Sequence, residues 1–227
     1  MYKKILAASI AALSLSGAAV AHEAGDFILR GGVIHAEPDS SSSKIKVNGV
    51  SQPGSGVNAD GGNKTQFGLG MTYMVMPHFG LEVTASTPFT HKIRAKYGGV
   101  NYNRAETSRM SPTISAQYFF LNPKSKFQPY VGLGLNYTIF HNEKLSNEAK
   151  RDYNAKSLKI KNSVGIVAQV GMDYKVTERV VLNASAWKMS MSAKATWKED
   201  WGGGEQKMKV DMDIDPWVYF IGVGYKF

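Results

Sequence analysis

The chain has 227 residues, no cysteine and a formal net charge of +9 at pH 7. The lack of cysteine excludes a disulfide scaffold and any thiolate metal site. Beyond the N-terminus no stretch is both long and apolar enough for a membrane-spanning helix, which needs about 20 residues.

The first element is a predicted signal peptide over residues 1–21. Lys3 and Lys4 precede a short apolar run from Ile5 to Gly17, and the small residues Ala19 and Ala21 form a cleavage site. The mature domain is therefore expected at 22–227, exported from the cytoplasm. Nucleic acid is not an expected partner there, and the basic charge suits an anionic surface such as phosphorylated lipid headgroups.

From residue 27 onward the chain alternates between apolar and polar positions with a period of two. In the first run Phe27, Leu29 and Val33 share one face and Arg30 takes the other. Alternation of this kind predicts strands with two unlike faces. Further runs follow at 67–73, 81–86, 114–118, 131–139, 164–174, 182–186 and 219–227.

The lengths of the runs and their connections favour a membrane barrel over a soluble sandwich. The runs extend over about 10–14 residues, where soluble strands average 5–6 and tilted spanning strands need 9–11. Short turns are predicted at 76–79, 121–126 and 176–179, and long loops at 37–63, 97–106, 141–157 and 198–207. This arrangement predicts an all-β, eight-stranded antiparallel up-and-down transmembrane β-barrel with both termini periplasmic. The loop at 37–63 has no apolar period and is expected to be mobile.

Aromatic residues near the strand ends predict two girdles on the lipid-facing side. The girdle near the short turns is expected to contain Tyr118, Phe127, Tyr174, Tyr225 and Phe227, and the one near the loops Phe89, Tyr137 and Trp217. Because hydrocarbon offers no partner for backbone polar groups, the first and last strands must pair.

Several stretches resemble the OmpW family of small outer-membrane barrels. They include Thr87 to Ile93, Phe127 to Thr138, Gln169 to Tyr174, Leu182 to Trp187 and Asp215 to Val218. The resemblance implies an eight-stranded barrel with a narrow apolar lumen that lets small hydrophobic solutes cross the cell outer membrane of a Gram-negative bacterium. In that family the lumen narrows between a leucine on strand three and a tryptophan on strand seven, which match Thr84 and Trp187 here. The alternating C-terminal strand ending at Phe227 resembles the signal that the barrel-assembly machinery reads.

The alternation along each strand predicts which residues face the lumen, and these divide the lumen into a polar and an apolar part. At the periplasmic end a polar floor is predicted, with Arg30 and Lys226 facing Glu82 and Asp173, and with Gln117 beside them; buried charges require such partners. In the middle, many small residues leave either a cavity or room for tight packing.

Toward the loops, Trp187, Met189, Val218 and Phe220 carry the inward parity, which breaks the usual polar-in rule. They form either an apolar ligand pocket with Thr84 or, if Pro216 causes a bulge, part of the outer face.

The sequence therefore predicts a conduit for small hydrophobic molecules, entered from the loop side and left sideways into the bilayer. The alternative is a structural barrel with a plugged lumen, whose basic loops bind lipopolysaccharide or a partner. No enzyme, metal or cofactor is expected. The alternating Asp211, Asp213 and Asp215 lack the rest of a calcium loop; His35 and His91, like other histidines near the loops, fit no catalytic spacing and are expected to be solvated.

Overall fold

A computed structural model describes residues 22–37, 39–60, 64–97, 100–200 and 202–227. Within these ranges the chain forms sixteen strands and one short helix. Their bounds are β1 (Phe27–Glu37), β2 (Ser40–Ser42), β3 (Lys46–Val47), β4 (Val50–Ser51), β5 (Gly56–Asp60), β6 (Thr65–Met76), β7 (Phe79–Ser86), β8 (Phe89–Tyr97), β9 (Val100–Met110), β10 (Thr113–Phe119), β11 (Phe127–Leu145), α1 (Asn147–Tyr153), β12 (Lys156–Lys161), β13 (Ser163–Lys175), β14 (Val180–Asp200), β15 (Glu205–Ile214) and β16 (Trp217–Lys226). No helix in the described ranges is long and apolar enough to cross a membrane.

Eight strands close into a ring of antiparallel pairs. The order is β1, β6, β7, β10, β11, β13, β14 and β16, and β16 pairs again with β1. The closing register joins Ile28 to Lys226 at one end and Glu37 to Trp217 at the other. The sheet therefore has no free edge in this zone, and the predicted eight-stranded barrel is confirmed.

Beyond the ring, at the end of the long connections, the barrel continues as two sheets. One contains β12, β14, β15, β3 and β4, and the other contains β5, β8, β9 and β11. The connection at 37–63, expected to be a mobile loop, contains β2 to β5: β2 and β3 pair with β15, β4 pairs with β3, and β5 pairs with β8. The alternation rule missed these strands because they are two to five residues long and polar.

The outer face of the ring is a continuous apolar band. Leu133 and Val170 are 68% and 56% exposed, so the predicted outward parity is confirmed at both. Aromatic side chains rim the band at the short-turn end, where the ring of Phe227 lies 6.0 Å from that of Phe27. An exposed apolar band around a closed barrel fits lipid and is costly in water.

Strand three of the barrel, formed by β7 and then β8, departs from the predicted orientation at one point. Phe89, expected in the outer girdle, points inward and is 6% exposed. The register with strand four, formed by β9 and then β10, explains the change. Thr84 pairs with Thr113 and Phe89 pairs with Arg109, so the four residues 85–88 face only the three residues 110–112. The extra residue forms a bulge at Pro88. In β8, which follows it, the odd-numbered side chains therefore face the lumen, whereas in β7 the even-numbered ones do.

Candidate functional site

The periplasmic end of the lumen is closed by a buried ionic network, the polar floor. Arg30 is 1% exposed; its Nη2 lies 2.5 Å from Asp173 Oδ2 and its Nη1 lies 3.4 Å from Glu82 Oε1. One guanidinium thus joins carboxylates from two other strands across the lumen. A charge pair this deeply buried needs every remaining lone pair to be occupied.

Neighbouring amides and hydroxyls supply those contacts. Asn183 donates to Asp173 Oδ1 at 2.7 Å and Gln169 donates to Glu82 Oε2 at 3.1 Å. Thr72 lies between Arg30 and Gln117, and its hydroxyl donates to Gln117 Oε1 at 3.4 Å. The structure therefore places four of the five predicted floor residues in one network.

The fifth predicted floor residue, Lys226, forms an ion pair with a carboxylate outside this network. Its Nζ lies 3.4 Å from Asp26 Oδ2, a residue just before β1. Sequence reasoning overlooked Asp26 because it precedes the first strand. Lys226 extends the charged end of the lumen downward, while Arg30 holds Glu82 and Asp173.

Apolar and aromatic side chains seal the lumen below Arg30. Met74, Phe119 and Tyr130 form a buried cluster, with the rings of Phe119 and Tyr130 5.0 Å apart. His22 is fully buried against Phe119 at 4.5 Å, and its Nε2 lies 2.9 Å from Asp173 Oδ2. This end therefore offers no straight passage to a small solute.

Mid-lumen glycines leave no empty space, because neighbouring side chains cover them. A Cβ at Gly68 would lie 2.4 Å from Ile34 Cδ1, and one at Gly222 would lie 2.6 Å from Phe220 Cζ. Of the two expectations for these small residues, tight packing agrees with the structure here. Empty space lies closer to the loops.

The lower cavity lies above the packed zone and holds about 400 Å³ of empty space, part of it open to solvent. Trp187, Met189 and Val218 line it, together with Thr84 across the barrel. Trp187 donates from Nε1 to Ser185 Oγ at 3.1 Å, which fixes its ring. The remaining lining residues are Ile34, Ala36, Ala85, Ser86, Phe89, Arg109, Ser111, Met191 and Pro216.

The predicted pocket residues all point inward, and Phe220 lies just outside the lower cavity. Its ring stacks with Trp187 at 6.5 Å and is buried. Pro216 does not reverse the parity of strand eight, because Lys188 pairs with Trp217 and Met191 with Ile214 in one continuous register. The bulge that could have turned these residues outward occurs on strand three instead.

The lower cavity reaches the barrel wall at an interruption in the strand pairing, the seam, formed by residues 85–88 and 110–112. No strand pairing joins strands three and four there, and Pro88 and Pro112 have no N–H to donate. Ala85 points outward and is exposed, yet it lines the lower cavity together with inward-facing Thr84. The lower cavity thus extends to the barrel wall at the seam.

The upper cavity lies between the two sheets beyond the ring and holds about 390 Å³ of empty space, part of it open to solvent. Its apolar wall contains Ile93, Leu158, Trp197 and Val210, and Ala149 of α1 covers one side. α1 starts after Ser146, whose hydroxyl accepts from the backbone N–H of Ala149 at 3.0 Å. Two mainly apolar cavities therefore follow one another from the loop end toward the floor.

The sequence reasoning missed Arg109 at the lower cavity and the inward orientation of its neighbour His91. Arg109 is 5% exposed and lines the lower cavity. His91, expected to be solvated, follows Phe89 on the inward face of β8, and its Nε2 has no hydrogen-bond partner. Burial, and then the neighbouring Arg109 charge, lower the pKa of His91 to about 4. The parity reversal at Pro88 turns Phe89, predicted in the outer girdle, and His91, predicted to be solvated, toward the lumen.

The rim carries no recognisable metal site in the part of the chain that the structure describes. No three histidine, aspartate or glutamate side chains come together there in a way that could hold an ion. Asp211 instead lies near Lys194 and Lys209, at 4.0 and 3.9 Å.

The OmpW family model matches residues 23–227. The chain belongs to the OmpW family. It is 40% identical over 222 residues to outer membrane protein W of Vibrio cholerae serotype O1, covering 97% of this chain and 96% of that protein. Outer membrane protein W of Escherichia coli K12 is 36% identical over 230 residues, covering 99% and 100%.

Solved structures agree with this membership. The crystal structure of outer membrane protein OprG from Pseudomonas aeruginosa superposes with a TM-score of 0.86 at 40% identity, covering 92% of this chain and 99% of that one. The solid-state NMR structure of outer membrane protein AlkL, at 17% identity and a TM-score of 0.62, shows the same fold. As an OmpW-family barrel, the protein lies in the cell outer membrane, with its apolar band against lipid.

Proposed function

We propose that this OmpW-family barrel is a conduit for small hydrophobic molecules and does no catalysis. A solute enters between the two sheets at the loop end, passes the upper cavity and rests in the lower cavity against Trp187. The polar floor blocks the way down, so the solute leaves through the seam into the outer leaflet. The observation that carries this proposal is that the lower cavity stands on a sealed floor and is lined by Ala85, which lies in an unpaired part of the wall.

Energetics favour such a sideways route. Removing apolar surface from water contributes about 25 cal/mol per Å², so an apolar solute gains free energy in either cavity and again in the hydrocarbon. The floor offers nothing comparable, because Arg30, Glu82 and Asp173 already bind one another. Transfer through the seam keeps the solute away from the charged floor.

Trp187→Asn tests the proposal. The change removes the largest apolar surface of the lower cavity and leaves a polar amide beside Phe220, so uptake of isotope-labelled n-octane by whole cells should fall several-fold. Asparagine is preferable to aspartate, since a new carboxylate could pair with Arg109 in the same cavity. Trp187→Phe is the matched control, because it keeps an aromatic surface and should retain most of the uptake.

Equal amounts of folded barrel must be compared, judged by the heat-dependent shift of β-barrels in gel electrophoresis. If Trp187→Asn cells take up octane as fast as wild-type cells, the conduit is wrong. The structural barrel with a plugged lumen is then the better description.

Lipopolysaccharide is proposed as a surface partner because lysines face one another on the outer sheets. Lys156 pairs with Lys198 and Lys161 with Lys194 across β12 and β14, and Lys198 also pairs with Lys207 on β15. Like charges directly opposite each other destabilise a sheet. Phosphorylated sugars bound along these strands compensate for that repulsion.

Assembly is proposed to depend on Phe227, through recognition by the barrel-assembly machinery. The Phe227 backbone N–H donates to the Phe27 carbonyl at 2.9 Å, and its ring packs 4.9 Å from Tyr225 at the barrel rim. Deleting Phe227 should lower the amount of folded protein in outer-membrane fractions, with little effect on refolding of the purified chain in detergent. Equal losses in both assays would assign Phe227 a purely structural role.

A further inference from the structure

Arg109 is the most unusual charged side chain of the lumen. It lies on the inward face of β9, opposite Phe89 in the first pair beyond the seam, and it lines the lower cavity. Its side chain is buried among apolar groups from several strands. Arginine seldom occupies such a position without a partner of opposite charge.

No carboxylate approaches Arg109 in the described part of the chain. Its Nη1 reaches the sulfur of Met191 at 4.0 Å, and its Nε has no hydrogen-bond partner. Two other buried arginines differ clearly in this respect: Arg30 contacts both Asp173 and Glu82, and Arg104 lies 3.5 Å from Glu199. An uncompensated buried charge costs several kcal/mol, so an anion entering this cavity gains a strong partner.

His91 adds a second donor beside Arg109. Its Nε2 is buried and has no hydrogen-bond partner, and its ring stacks with Phe89 at 6.5 Å. With its pKa lowered to about 4, the imidazole is neutral at pH 7 and can donate one hydrogen bond. Arg109 therefore supplies the positive charge, and His91 supplies an additional N–H group near it.

The rest of the lower cavity suits a hydrocarbon chain. Ile34, Phe89, Met189 and Val218 give it an apolar wall, and Trp187 closes the side toward the floor. A guanidinium matches the two oxygens of a carboxylate with parallel hydrogen bonds, which are stronger than those between neutral groups. The cavity thus combines one unsatisfied cation with a mainly apolar wall.

We propose that the lower cavity selects amphiphiles whose apolar chain ends in a carboxylate, with Arg109 binding the carboxylate. This inference rests on the proposed function, because it assumes that the lower cavity is where solutes bind. It narrows the solute class from hydrophobic molecules in general to alkyl carboxylates. Neutral compounds of equal chain length bind more weakly because they offer Arg109 no negative charge.

Calorimetry on the full barrel in nanodiscs of zwitterionic phosphatidylcholine tests this inference. Octanoate and 1-octanol are titrated separately, and the heat from empty nanodiscs is subtracted. Wild-type protein should bind octanoate at least about tenfold more tightly than octanol, the difference expected for hydrogen bonds to a charged group. Because the lipid has no net charge, the added carboxylate does not compete with acidic lipids for the cavity.

Three variants complete the design. Arg109→Met keeps the volume and removes the charge, so octanoate should lose its advantage while octanol affinity stays unchanged. Arg109→Lys keeps a positive charge and should restore part of the preference. Arg151→Met makes the same change at an exposed arginine on α1 and should alter neither affinity.

The outcomes separate the two proposals. If wild-type protein binds both compounds equally, or if Arg109→Met weakens both equally, carboxylate selection is wrong and the hydrophobic conduit stands. If wild-type protein binds neither compound above the empty nanodiscs, the lower cavity is not a binding site, and the proposed function fails with the inference.

Discussion

Asp173→Ala should lower the free energy of unfolding by about 3–5 kcal/mol, the usual cost of leaving a buried charge without its partner. Asp173 is fully buried and binds three groups: Arg30, Asn183 and His22. Its loss leaves the Arg30 guanidinium with Glu82 at 3.4 Å as its carboxylate partner. The effect is measurable by urea unfolding in lipid vesicles, followed through tryptophan fluorescence.

Asp26→Ala provides the matched control for that experiment. Asp26 forms an ion pair with Lys226 at 3.4 Å, and its carboxylate is partly exposed where that of Asp173 is fully buried, so its loss should cost clearly less than that of Asp173. Asp173→Asn should lie between the two, because its amide keeps the shape and loses the charge. Asp173→Ala and Asp26→Ala barrels of equal stability would contradict a tightly coupled floor.

Ala85→Trp should stop uptake of octane while leaving the barrel folded. Ala85 points outward at the seam and lines the lower cavity. An indole there fills the opening between residues 85–88 and 110–112 from the lipid side, where aromatic side chains are well tolerated. Whole-cell uptake of isotope-labelled n-octane should drop to the level of cells that lack the protein.

Ala116→Trp is the control for the blocked seam. Ala116 is also exposed on the outer face, but it pairs with Leu81 and Leu133 in the continuous part of the wall. The same indole there should leave uptake unchanged. Normal uptake in Ala85→Trp would show that solutes leave the barrel elsewhere, and equal losses in both variants would mean that a bulky outer side chain harms transport in general.

Alternation alone predicts most of the ring, because lipid and lumen impose opposite demands on neighbouring residues. Leu133 and Val170 are outside and Trp187 is inside, as their parity requires. The predicted inward or outward direction of a side chain is correct wherever the strand pairing continues without a bulge. It holds past Pro216, where the register is unbroken, although a proline in a strand suggested a bulge.

The errors come from features that depend on the partner strand. Phe89 was predicted in the outer girdle, but residues 85–88 face only three residues of strand four, and this number is not visible in either segment alone. Arg109 was missed for a related reason. A single arginine in a strand gives no sign that carboxylates are absent from every other strand around it.

The distance along the chain between Arg30 and Asp173 has a consequence for how the barrel matures. The two residues are 143 positions apart, and each belongs to a different side of the ring. Their ion pair can form only after strands from both halves of the sequence have met, so it is expected late in folding. Contacts made after the rate-limiting step act mainly on the speed of unfolding. Loss of the pair is therefore expected to raise the unfolding rate of the finished cylinder and to leave its folding rate almost unchanged.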